Sequence, residues 1–233
     1  MQTLRAVVQE FKAQRRALGH FNISDSNQLR ALARASKETA LPVIVGLSEG
    51  EREYFPLSHA RALVDIYRAQ GVSLFLNADH TYSFEKAQHA IDDGVDSVVV
   101  DGALVPLKDN IALTKQCVAY ARISGRDVII EGELGYIGTS SKVMDTVPEG
   151  AAATEEMMTK VDELKSFVEQ TGVDLVAPAV GNIHGIVKSG QPKLSISRIQ
   201  ELARAVYPEL GRGGVPLVLH GGYPKHPHLL LVP

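Results

Sequence analysis

The chain has a single cysteine, Cys117, so an internal disulfide framework is excluded. A reducing, cytoplasmic setting is the expectation. No apolar run approaches the roughly 20 residues needed to span a bilayer. The first twenty residues are charged throughout, unlike a secretory signal. Neither sign of charge dominates: 24 Lys and Arg stand against 27 Asp and Glu, for a net charge of -3. Nucleic acid and membrane are therefore not expected as partners. Two motifs are also missing. No G-x-G-x-x-G follows the first apolar strand, which argues against a dinucleotide fold. No strand carries His-x-His, a pairing often used by metal-dependent hydrolases on barrels.

What the 233 residues do contain, 45% of them hydrophobic, is a repeat. Leu4, Val7, Val8 and Phe11 mark one face of an N-terminal helix. Short apolar strands are then predicted over 19–23, 42–47, 73–79, 97–100, 128–130, 175–180 and 216–219. Helical patterns separate them, the third strand being followed through Thr81-Tyr82-Ser83 by one over 84–93, and a later one being predicted over 154–170. The period is about 30 residues, and near-continuous apolar strands imply a parallel sheet buried on both faces. The fold class is α/β, either a (β/α)8 barrel or a doubly wound sheet. Residues 136–152 have no period and read as a long lid or binding loop. After residue 222 the pattern breaks. Three prolines in 223–233 forbid a helix there, and residues 229–232 can pair only as an edge. The expectation is one barrel domain over 1–222 with an aberrant tail over 223–233. Seven strands are readable and the last βα unit is missing, as in a truncated or frame-shifted end, leaving exposed strand edges.

Chemistry-bearing residues gather where strands end. Asn77-Ala78-Asp79-His80 closes the third strand, Asp101 the fourth and Glu133 the fifth. Gly181-Asn182-Ile183-His184-Gly185 follows the sixth, and His220-Gly221-Gly222 the seventh. The C-terminal ends of parallel strands converge on one mouth, where ligands bind. Adjacent residues of a strand face opposite ways, but at a frayed end Asp79 can reach a substrate while His80 holds a metal. Three imidazoles with an open position suit a catalytic zinc, which polarises a carbonyl. Gly185, Gly221 and Gly222 allow backbone N–H groups close to an anion, and Lys188 adds a point charge for phosphate. His20, His59 and His89 read as ordinary residues, and His226 and His228 fall in the tail.

These motifs, with Glu133-Leu134-Gly135 and Gly19-His20-Phe21-Asn22, resemble the class II, metal-dependent ketose-bisphosphate aldolases, the fructose- and tagatose-bisphosphate enzymes among them. The resemblance covers about 1–222. It implies a TIM barrel with Zn2+, or another divalent transition metal, held by His80, His184 and His220. Asp79 would be the acid/base at the C4 hydroxyl. Asp101 and Glu133 would form a second metal position or orient the ligand imidazoles. Gly185, Lys188, Gly221 and Gly222 would surround a substrate phosphate, with Asn22 and Ser48 nearby and a monovalent cation close by. A homodimer or homotetramer in glycolysis is implied. Three departures stand out. The loop after Gly135 lacks the usual glutamate, leaving Asp145 or Glu149 to replace it. Tyr223-Pro224 stands where Ser-Gly is usual, and the final helix and strand are absent. A phosphosugar-binding barrel without turnover and a metal-dependent hydrolase are the alternatives.

Overall fold

A computed structural model of the protein describes residues 2–139, 142–188, 192–206, 214–221 and 230–231. Seven parallel strands form the main sheet: β1 (Gly19–Asn22), β2 (Val43–Leu47), β3 (Leu74–Thr81), β4 (Ser97–Val100), β5 (Ile129–Leu134), β7 (Leu175–Pro178) and β9 (Leu217–Val218). They lie side by side in chain order. A two-residue strand, β10 (Leu230–Leu231), adds to β9 antiparallel, as an edge. Two further short strands, β6 (Val143–Met144) and β8 (Ile186–Val187), pair only with each other. Among the described residues β10 does not reach β1, so the sheet is an open, incomplete (β/α)8-type barrel.

Helices α1 (Leu4–Ala13), α2 (Ser26–Thr39), α3 (Glu49–Tyr54), α4 (Leu57–Ala69), α5 (Phe84–Asp92), α6 (Leu107–Ile123), α7 (Val161–Thr171) and α8 (Ile196–Val206) connect the strands. Six of them, α2 and α4 to α8, cover the outer face. Their apolar stripes and the outward strand residues form the main core, among them Leu29, Val64, Ile91, Cys117, Phe167 and Leu202. The inner face packs differently. Leu4, Val7, Val8 and Phe11 of α1 cluster with Ile44, Phe75, Ile129 and Leu175, and Val218 packs against them. Those five come from the beginnings of five different strands. One ten-residue helix can meet them all only if the sheet curls around it, so α1 plugs the end of the barrel opposite the strand C-termini.

Four sequence expectations change. β3 continues through Thr81 rather than stopping at residue 79, while α5 begins at Phe84 as expected, capped by the Ser83 side chain, which accepts from the Lys86 N–H. A short helix not expected from the sequence, α3, follows β2 directly; Glu51 Oε2 accepts from the Ser48 N–H at 2.7 Å. α7 starts at Val161 rather than Thr154, because Thr159 is bound elsewhere: its N–H goes to Ala179 O and its hydroxyl to Leu134 O. β7 ends at Pro178 instead of residue 180. No described helix is long and apolar enough to cross a membrane.

Candidate metal and acid–base site

The strand C-termini open into a cavity of ≈ 450 Å³ lined by His20, Asp79, His80, Glu131, His184 and His220, among others. His80 owes its place to an unusual backbone. Its φ is +41°, one of three positive values at non-glycine residues among those described, a conformation that L-residues adopt at a cost. The β3–β4 register shifts between Ala78 and Thr81. In a regular strand Asp79 and His80 would face apart. The bulge and the positive φ turn both onto the cavity instead.

Side chains from four strand ends meet there. One ligand atom from each of His80, Glu133, His184 and His220 lies within 4.8 Å of the other three. The His80 ring centroid is 4.9 Å from that of His184 and 5.2 Å from that of His220. Three imidazoles and a carboxylate are the donor set divalent transition metals prefer, and the described residues fit such an ion. Asp101 is not part of this foursome. It sits behind His80, with Oδ2 2.9 Å from Nδ1, while Glu133 Oε2 is 3.3 Å from the same nitrogen. On the far side, Glu131 Oε1 lies 2.7 Å from His220 Nε2.

Asp79 is buried beside the cluster. Its Oδ2 accepts from Asn22 Nδ2 at 2.9 Å, and its Oδ1 is buried with no hydrogen-bond partner among the described residues. Burial works against its charge, but His80, His20 and His220 outweigh that and hold the carboxyl well below the usual range. The histidines respond in kind. Burial opposes a proton on His80, yet Asp79, Asp101 and Glu133 raise its pKa strongly. His220 is likewise buried but raised to about 9, chiefly by Glu131. Burial, helped by the charge of Asp101, pushes Glu133 upward against the pull of His80 and His220.

The residues expected around a phosphate are less concentrated. Gly185 (φ +79°) and Gly221 (φ +69°) are left-handed. A Cβ at Gly221 would overlap the carbonyl of Ile183, so only glycine fits without displacement. Gly222 lies outside the described residues, as do His226 and His228. Lys188 is exposed and pairs with Asp145 of the 136–152 loop at 2.7 Å, outside the cavity lining. Ser48 and Asn22 both line the cavity.

Sequence reading missed two participants. His20 is not an ordinary strand residue: it lines the cavity, and burial lowers its pKa. Its Nε2 is 3.2 Å from Asn77 Nδ2, and Asn77 Oδ1 accepts from Ser97. Gly46 was the available signal, because a Cβ there would overlap the His20 ring, and a glycine inside a strand often marks such an approach. Glu131 was the other, legible from its alternation with Glu133. His59 and His89 are exposed, as expected.

A parallel barrel with an imidazole–carboxylate cluster at its mouth defines the class: an α/β-barrel enzyme built around a metal-type donor set. Comparison with known proteins narrows this. The family described as "Fructose-bisphosphate aldolase class-II" matches residues 2–228. Fructose-bisphosphate aldolase of Staphylococcus aureus (strain Mu50) is 35% identical over 212 residues, covering 88% of this chain and 68% of the relative. That of Geobacillus stearothermophilus is 34% identical over 212 residues, covering 88% and 67%. Among solved structures, the YdjI aldolase of Escherichia coli K12 superposes with a TM-score of 0.74 at 27% identity, over 94% of this chain and 72% of that one. The chain belongs to the class II fructose-bisphosphate aldolase family, carbon–carbon lyases that depend on a metal.

Proposed function

We propose that this chain catalyses the reversible retro-aldol cleavage of a ketose 1,6-bisphosphate, fructose or tagatose, to dihydroxyacetone phosphate and glyceraldehyde 3-phosphate, as a cytoplasmic glycolytic enzyme. The observation that carries the proposal is the four-donor cluster of His80, Glu133, His184 and His220 beside a buried, ionised Asp79. We assign zinc to His80, His184 and His220, with Glu133 at its edge. When bound, such a cation supplies an electron sink for the charge that develops as the C–C bond breaks.

The remaining steps belong to the protein. Asp79 accepts the C4 hydroxyl proton through its unpartnered Oδ1 and returns it in the condensation direction. Its low proton affinity keeps it ready as a base at neutral pH. Asn22 holds the other oxygen and fixes the carboxylate plane. Asp101 and Glu131 orient His80 and His220. Gly185 and Gly221 present backbone to a phosphate, Ser48 lines the same cavity, Gly222 is a further phosphate contact by the family resemblance, and a monovalent cation balances charge. Lys188, paired with Asp145 in this structure, supplies positive charge for the phosphate. No lysine Schiff base is needed. The working assembly is a homodimer or homotetramer.

The test is cleavage of fructose and tagatose 1,6-bisphosphates coupled to triose-phosphate detection, with and without a chelator. Chelator-sensitive turnover of either substrate supports the reading. Bound metal with no cleavage of any ketose bisphosphate overturns it in favour of a binding-only barrel.

A further inference from the structure

The backbone that turns Asp79 and His80 together is itself held by one side chain. β2 pairs with β3 only as far as Ala78, and β4 meets β3 at Ala78 and again at Thr81. Residues 79 and 80 therefore have no strand partner on either side, and the peptide carbonyl of Asp79 is left outside the ladder. A buried carbonyl needs a donor, and the α3 residue Arg52 supplies it. Arg52 Nη2 donates to Asp79 O at 2.6 Å and to Thr81 Oγ1 at 2.9 Å. Its Nε donates to Leu47 O, the last residue of β2, at 2.9 Å. One guanidinium thus brackets His80 from both chain neighbours and ties that bracket to the adjacent strand.

We propose that Arg52 is a positioning residue: by holding the Asp79 carbonyl and the Thr81 hydroxyl, one on each side of His80, it keeps His80 and Asp79 aimed at the same cavity. The inference rests on the metal and acid–base roles given above to His80 and Asp79. A left-handed residue outside glycine persists only where its surroundings over-determine it, and no other described side chain bonds to both Asp79 and Thr81. The three bonds need a planar fork with Nε and Nη donors at fixed spacing. A lysine offers one point of donation and cannot span them.

Two variants and a control separate positioning from simple stability. Arg52→Ala removes the fork, and Arg52→Lys keeps the charge without it. Arg68→Gln is the control. Arg68 braces the opposite end of the same strand through Leu74 O and Asp96. Each purified protein, stripped of metal, is titrated with Co2+ alone, following its visible absorption, and melted thermally; turnover is then measured. Arg52→Ala is expected to weaken Co2+ binding at least about tenfold, as loss of an outer partner does, to shift the absorption band, and to lower kcat more than it raises KM. Arg52→Lys falls between. Arg68→Gln melts lower but keeps the wild-type Co2+ affinity and band. A wild-type band and affinity in a folded Arg52 variant overturn the proposal. So does an equal loss of Co2+ affinity in Arg68→Gln. Wild-type protein that takes up no Co2+ overturns the metal site, and the clamp with it.

Discussion

Glu131 and His220 form a buried pair, with Oε1 2.7 Å from Nε2, which leaves Nδ1 of the same ring directed toward Glu133 Oε2 at 3.9 Å. The carboxylate therefore selects the ring nitrogen that faces the cluster. Glu131→Gln offers an amide donor to Nε2, favours the proton on Nδ1 and blocks ligation there. Zinc affinity should fall about 10- to 100-fold, read by competition with a chromophoric chelator. Unchanged affinity removes Glu131 from the site.

Asp79→Asn keeps the shape and the contact to Asn22 but abolishes the base. Turnover should drop on the order of 10²- to 10⁴-fold, while metal content per chain stays at the wild-type value. Metal analysis beside steady-state kinetics checks both halves. A variant that loses metal and activity together would place Asp79 among the ligands.

The raised pKa values of His80 and His220 make metal binding a proton-releasing event. Both imidazoles carry protons near neutral pH in the metal-free protein, and both must be neutral to ligate. Affinity therefore rises with pH toward the His220 value of about 9 and falls as pH drops. Each displaced proton changes affinity about tenfold per pH unit. Calorimetry in buffers of different ionisation enthalpy counts those protons, and a count of zero contradicts the electrostatics described.

Gly132 stands between Glu131 and Glu133 on the opposite face of β5, and a Cβ there would overlap the buried ring of Phe167 on α7. Gly132→Ala should lower the melting temperature and weaken metal binding together, since both carboxylates ride on the displaced strand. Phe167→Leu, which vacates that space, should restore part of the metal affinity in the double variant. Additive losses instead would show that the two positions do not touch.

Much of this site could be read from residue order because parallel strands announce themselves as apolar runs and their ends converge. His184 and His220 needed no more than that. The geometry at His80 did need more: strand alternation sets Asp79 and His80 apart, and only a register shift and a left-handed φ reunite them. No composition or period encodes that turn. α3 was hidden for a related reason. It is six residues long and contains Gly50, too short for a 3.6-residue period to show. His20 depended on the curl of the sheet, a tertiary property, with Gly46 its one local trace.

The plug formed by α1 also bears on how the chain comes to be folded. Its partners are spread from Ile44 to Val218, contacts of very long sequence separation that slow assembly. Leu4, Val7, Val8 and Phe11 stay uncovered until the last of the strands they pack on, the one bearing Val218, is in place. α1 is thus the element whose seating waits on the largest part of the sheet.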